Sequence, residues 1–210
     1  MPAFTLYGAR GSTNTDRVRL TLAEGGFTDY ELVLINLQKG EQKSQWSSSQ
    51  TVSLFYESRV ICKYLAKKYC FPLLPPDSDM EATALFEQAQ SEEMSYFADS
   101  AGKIAFEKFV KHKFMGLPPD ETIVSGATQS IEAFFGVAER SLQRRDYMSG
   151  EDFTLVDIYY VPLIQRLFVC GYADLILSRK AVSAWWNRVV NRPAIQQVLA
   201  ADKEAATAAR

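Results

Sequence analysis

Ser12 stands where a serine can do more than pack. Phe4, Leu6 and Tyr7 read as a short strand ending at Gly8, and Ala9-Arg10-Gly11-Ser12-Thr13-Asn14 is a small-residue turn before an apolar helical pattern. A helix start collects unpaired backbone N–H groups and the positive end of the helix dipole. An anion there is stabilised without a charged side chain, and a serine hydroxyl adds one donor. The plain alternative is an N-cap, a role serine fills well. Glu57-Ser58-Arg59 forms a second such place. A carboxylate beside free N–H groups can hold both charges of an amino-acid head group, Glu57 taking the ammonium and Ser58 the carboxylate. Here too a capped helix is the plain alternative. Thr154-Leu-Val-Asp157 before an apolar run has the capping-box pattern and reads as structural.

Other reactive side chains carry less. His112 is the single histidine, lies between two lysines and reads as exposed; no Gly-x-Ser-x-Gly frames a nucleophile for it. Cys62, Cys70 and Cys170 are odd in number and widely spaced, which argues against a disulfide framework or a zinc site. Cys62 falls inside a helical pattern and reads as a small buried hydrophobe. Trp185 and Trp186 read as packing residues. No metal is expected.

The positioning elements follow from periodicity and punctuation. After the first strand a helix runs through Ala23 and stops at Gly25-Gly26; Tyr30 to Leu37 reads as a second strand, the start of an α/β unit. Lys39 to Gln50 reads as a loop, Val52 to Tyr56 as a short strand and Arg59 to Tyr69 as a helix. Three prolines among residues 72–76 mark a boundary. The expected division is a front domain over 1–71, a linker over 72–79 and an all-helical domain over 80–210. Helices are expected at Met80 to Met115, Glu121 to Gln143, Leu155 to Cys170, Ser178 to Val190 and Pro193 to Ala206.

Composition narrows the function classes. The chain of 210 residues is 47% hydrophobic and 23% charged with a net charge of −2, ordinary values for a soluble globular protein. Lys67-Lys68 is the nearest thing to a basic run, so no nucleic-acid partner is expected. No apolar run reaches spanning length and the first residues lack signal-peptide character, so no membrane association and a cytoplasmic location are expected.

In this order the pieces resemble a glutathione transferase, and within that superfamily the phi class of plants and fungi. Leu6-Tyr-Gly-Ala-Arg-Gly-Ser-Thr-Asn14 with Arg17-Val18 is similar to the phi start, and Glu57-Ser-Arg-Val-Ile61 to the family's Glu-Ser-Arg-x-Ile segment. Lys103-Ile-Ala-Phe-Glu-Lys108 followed by Gly116-Leu117, the stretch Tyr147 to Asp157, and Trp185-Trp186 with Asn191-Arg-Pro193 are similar to its helical domain. The resemblance implies a thioredoxin-like α/β domain followed by an all-α domain. It implies that Ser12 stabilises the glutathione thiolate, that Glu57 and Ser58 hold the γ-glutamyl end, and that Lys43 contacts the glycine carboxylate. Gln42 stands where the family's His-Lys-Ser segment has histidine. Phe97, Phe106, Phe109 and Phe114 are candidates for an apolar electrophile pocket, with the core as their other home.

One departure matters. The family follows His-Lys-Ser with a helix, then Asn-Pro-Phe-Gly-Gln-Val-Pro, then a strand. Here Ser44 runs through Gln45 to Gln50 straight into Thr51 to Tyr56, and no proline lies between Pro2 and Pro72. The cis-proline that shapes the family's glutathione site is absent, as is the phenylalanine that plugs the partner subunit in many family dimers. A natural deletion, a truncated or mis-spliced relative, and a loop missing from the sequence all fit this gap. The activity implied is transfer of glutathione to small hydrophobic electrophiles or reduction of peroxides with it, in a homodimer weakened by the lost plug. A non-catalytic carrier of hydrophobic small molecules, favoured by the missing proline segment, and a glutathione-independent isomerase or cyclase are the alternatives.

Overall fold

The computed structural model describes residues 1–36, 39–41 and 57–208. The expected loop over Lys39 to Gln50 falls mostly outside these residues, and the strand over Val52 to Tyr56, Gln42 and Lys43 fall wholly outside them. The chain divides into two compact units, Met1–Pro72 with Arg192–Arg210, and Leu73–Asn191.

In the first unit, β1 (Phe4–Gly8) pairs in parallel with β2 (Tyr30–Leu34), in a register that sets Phe4 against Tyr30 and Gly8 against Leu34. The second strand stops at Leu34, short of Ile35 and Asn36, which its β-branched and aromatic run would include. Between them runs α1 (Thr13–Glu24), in which residues 17–22 are all buried. That continuous burial follows from its neighbours: α1 packs on α2 (Ser58–Lys68) and on α9 (Pro193–Ala208). Phe4, Phe27, Tyr30 and Tyr69 stack beside the strands, with Phe27 and Tyr69 centred 4.2 Å apart.

Charge fixes α9 to α1. The buried Arg19 guanidinium reaches both carboxylate oxygens of Asp202 at 2.8 Å, and Arg192 forks onto Glu24 at 2.8–3.0 Å. The two-nitrogen fork of Arg192 on Glu24 sets orientation as well as energy. The last helix therefore groups with the α/β unit and not with the helices that precede it in the chain.

The second unit is helical. One unbroken helical stretch comprises α3 (Met80–Glu92), a π-helical segment Glu93–Ala98, α4 (Asp99–Ala105) and a second π-helical segment Phe106–Met115. It is followed by α5 (Glu121–Leu142), α6 (Leu155–Val169), the short α7 (Asp174–Leu177) and α8 (Lys180–Val190). The turn α7 lies just before the helix expected from Ser178, which begins two residues later than its pattern suggests. Leu155 to Ile164 are buried without exception, as an apolar sequence with no polar face requires, so α6 is the central helix of this unit.

Asp157 organises that core. Its carboxylate accepts from the backbone N–H of Met148 and of Thr154, each at 3.0 Å, and from the Trp185 indole N–H at 2.8 Å. The bond to Thr154 is the reach-back half of a capping box. The Thr154 hydroxyl lies 2.9 Å from that of Ser149. One side chain thus joins the helix start, the preceding loop and α8.

Candidate functional site

The turn between β1 and α1 is wound tightly. A Cβ on Gly8 would sit 2.5 Å from the Thr15 side chain, so the strand end can approach the helix only as glycine. Thr15 in turn accepts the Ala9 N–H on its hydroxyl at 3.1 Å. Gly11 has φ +75°, a left-handed turn that glycine adopts at little cost. The chain then delivers Ser12 to the N-cap position of α1 with extended backbone, φ −79° and ψ 122°.

Ser12 holds the cap position without acting as a cap. Its carbonyl accepts the Asp16 N–H at 2.9 Å, but its side chain makes no hydrogen bond to the helix's first-turn N–H groups. The hydroxyl is half-buried and not spent on the helix start. The plain-cap alternative raised by the sequence would have spent it there.

The second helix start lies beside the first. Ser58 opens α2 and is buried; its hydroxyl donates to Asn14 Oδ1 at 3.3 Å and accepts from the Arg17 guanidinium at 3.3 Å. Arg17, also buried, donates to Asn14 Oδ1 at 2.7 Å. Residues 41 and 44 positions apart thereby join the N-terminal turns of α1 and α2. Two positive helix ends and a buried guanidinium form one electropositive corner. Asn14 and Arg17 were visible in the sequence only as parts of a motif; what marks them is the buried Arg17 guanidinium reaching both Asn14 and Ser58, which spacing does not reveal.

Glu57, just before α2, has φ 65° and ψ 110°. A non-glycine residue at positive φ costs roughly 1–3 kcal/mol and persists where its surroundings impose it. Its side chain is exposed and makes no capping bond to α2. A carboxylate therefore stands beside the start of α2 without capping it.

Cys62 lies one turn into α2 and is fully buried. Burial pushes its thiol up to about 12, against a hydrogen bond with Thr21 and the nearby charges of Arg17 and Arg59. It therefore stays protonated at neutral pH and supplies no thiolate. A thiol reagent at pH 8 should label the exposed Cys70 promptly and reach Cys62 only when the protein unfolds; fast labelling of Cys62 in the folded protein would contradict this packing.

Of the phenylalanines proposed for an apolar pocket, Phe97 is wholly buried among Phe134, Phe135 and Tyr160 and belongs to the core. Phe106 and Phe114 are exposed on the second π-helical segment. The half-buried Phe109 carries the Arg166 guanidinium 3.7 Å from its ring centre. His112 is exposed, and Trp185 and Trp186 are buried. Among the described residues no group of three or more His, Cys, Asp or Glu side chains is placed to hold a metal ion, and no helix is long and apolar enough to cross a membrane.

An α/β unit that accompanies a helical unit is an architecture shared with known proteins. A family model for the glutathione S-transferase C-terminal domain matches residues 97–193. Glutathione S-transferase hmp2 of Hypomyces subiculosus is 34% identical over 87% of this chain and 91% of its own. The crystal structure of glutathione transferase F7 from Populus trichocarpa superposes with a TM-score of 0.84 at 27% identity, covering 93% of this chain and 97% of that one. Glutathione S-transferase I from mais, in complex with atrazine glutathione conjugate, gives 0.84 at 30% identity over 95% and 97%. The chain belongs to the glutathione S-transferase family. It is a glutathione S-transferase-like enzyme with the thioredoxin-like plus all-helical fold, and its likeness is to the phi class.

Proposed function

We propose that this protein conjugates glutathione to small hydrophobic electrophiles, with the Ser12 hydroxyl donating to the glutathione thiolate. The observation that carries this reading is the Ser12 hydroxyl itself, set at a helix start and not used to cap it. With an aryl halide, the thiolate sulfur forms a bond to the ring carbon, the halide leaves with its electron pair, and the thiol proton passes to solvent. Reduction of a peroxide by the same thiolate, with a second glutathione closing the disulfide, is the companion activity.

The remaining assignments follow the chemistry of glutathione. Its γ-glutamyl ammonium would meet Glu57. Its α-carboxylate would meet the Ser58 N–H and the positive end of α2, with the Ser58 hydroxyl turning from the long 3.3 Å bond to Asn14. Lys43 would take the glycine carboxylate, with Gln42 as a neutral neighbour. We further propose that the enzyme works in the cytoplasm, in detoxification, as a homodimer whose contact is weakened by the missing plug phenylalanine.

The test is turnover: purified protein, glutathione and either an aryl halide or an organic peroxide. Rates above the uncatalysed reaction that saturate in glutathione are expected; no rate above background with either class would sink the proposal. Glu57→Gln should raise KM for glutathione about three- to five-fold with kcat almost unchanged. A partly exposed ion pair contributes up to ~1 kcal/mol, equally in ground and transition states. A loss confined to kcat would place Glu57 elsewhere in the mechanism.

A further inference from the structure

The C-terminal end of α5 carries a second concentration of positive charge that conjugation does not use. Arg140, Ser141, Gln143, Arg144 and Arg145 line a surface recess of about 520 Å³, with the half-exposed Val137 at its edge. The carboxylates nearest in sequence are occupied. Glu139 accepts the N–H groups of Ala181 and Val182 at 2.9–3.0 Å, and Asp146 pairs with Arg188 at 3.4 Å.

Among the described residues, none of the three lining guanidiniums pairs with a carboxylate. Arg140 donates one N–H to the Gly136 carbonyl at 2.9 Å, which leaves most of its donors open. The Arg145 Nε is buried with no hydrogen-bond partner among these residues. Elsewhere in the chain Arg19, Arg188 and Arg192 rest on carboxylates, and Arg179 on the carbonyls of Leu175 and Glu132.

The negative end of α5 attracts cations, an effect that fades within about a turn, and Arg140 lies in that last turn. It does not explain three guanidiniums without a carboxylate salt bridge around one recess. Guanidinium forks match phosphate oxygens two at a time, and their faces stack on flat rings. The recess also falls within the usual range of small-ligand sites. We propose that it binds a small phosphorylated organic molecule, the phosphates held by Arg140, Arg144 and Arg145 and the organic part resting at Val137.

Calorimetry at low salt with inorganic phosphate, pyrophosphate and ADP tests this on the whole protein. Pyrophosphate and ADP should bind, ADP more tightly through its ring. The R140A/R144A double variant should weaken both by about ten-fold or more, because charge-assisted contacts are lost. A Lys103→Ala control, on a different helix, should change neither. Both substituted arginines are exposed, so an unchanged Tm will show that the fold is kept. Three results would overturn the proposal: no heat with any probe up to ~10 mM, a weak-binding limit; equal binding by the double variant; or retention of anionic-lipid vesicles or RNA through these arginines without binding of pyrophosphate or ADP.

Discussion

Ser12→Ala should lower kcat/KM for glutathione conjugation by about ten-fold or more and leave stability almost unchanged. A hydrogen bond to a charged group contributes about 1.5–3 kcal/mol, which converts to roughly 10–150-fold in rate. A free thiol titrates near 8.5, so only a few per cent is thiolate at pH 7 without help. Losing the hydroxyl raises the bound thiol back toward that value. The pH profile of kcat/KM should move to higher pH, and the variant should recover part of its deficit in alkaline buffer. Stability separates this role from capping. A working serine cap costs about 1 kcal/mol to remove, but the Ser12 side chain makes no cap bond, so the loss should stay below about 0.5 kcal/mol. A variant that is less stable yet fully active would make Ser12 a cap and nothing more.

Asp157→Ala should cost several kcal/mol of stability. It removes an acceptor shared by Met148 N–H, Thr154 N–H and Trp185 Nε1, all buried. Each orphaned donor costs about 1–3 kcal/mol, and the three share one site, so a total of about 3–5 kcal/mol is expected. For a chain of this size that lowers Tm by roughly 10 °C. Asp157→Asn keeps Oδ1 for Met148 and Trp185 but sets an amide against the Thr154 N–H, and should lose about half as much. Denaturant titration of the three proteins decides the matter. A loss under ~1 kcal/mol for Asp157→Ala would mean that water or a rearranged loop satisfies those donors.

Much of this was legible in the sequence for physical reasons. Gly25-Gly26, the prolines at 72–76 and Pro193 bound their elements because they limit or free the backbone, whatever the tertiary context. Ser12 could be placed at a helix start from the strand–turn–helix pattern. Whether its hydroxyl was already spent could not, because that depends on side-chain torsion. The link from Asn14 and Arg17 to Ser58 spans more than 40 residues, and the Arg19–Asp202 pair spans 183, so no local pattern encodes either. For the same reason the last helix looked like the end of the helical series, while its charges pair with α1. The two π-helical segments were hidden as well. Widening the turn by one residue over a short stretch leaves the apolar pattern of residues 80–115 nearly intact.

On the proposed function, this chain still uses glutathione although its sequence lacks the proline segment that shapes the family's site. The most direct measurement is calorimetric titration of the purified protein with glutathione. We predict saturable binding with a Kd in the micromolar to low millimolar range, weakened by Glu57→Gln. No binding at about 10 mM, equivalent to less than ~3 kcal/mol of binding free energy, would contradict the proposed function. It would mean a fold kept for carrying apolar ligands after the thiol was abandoned.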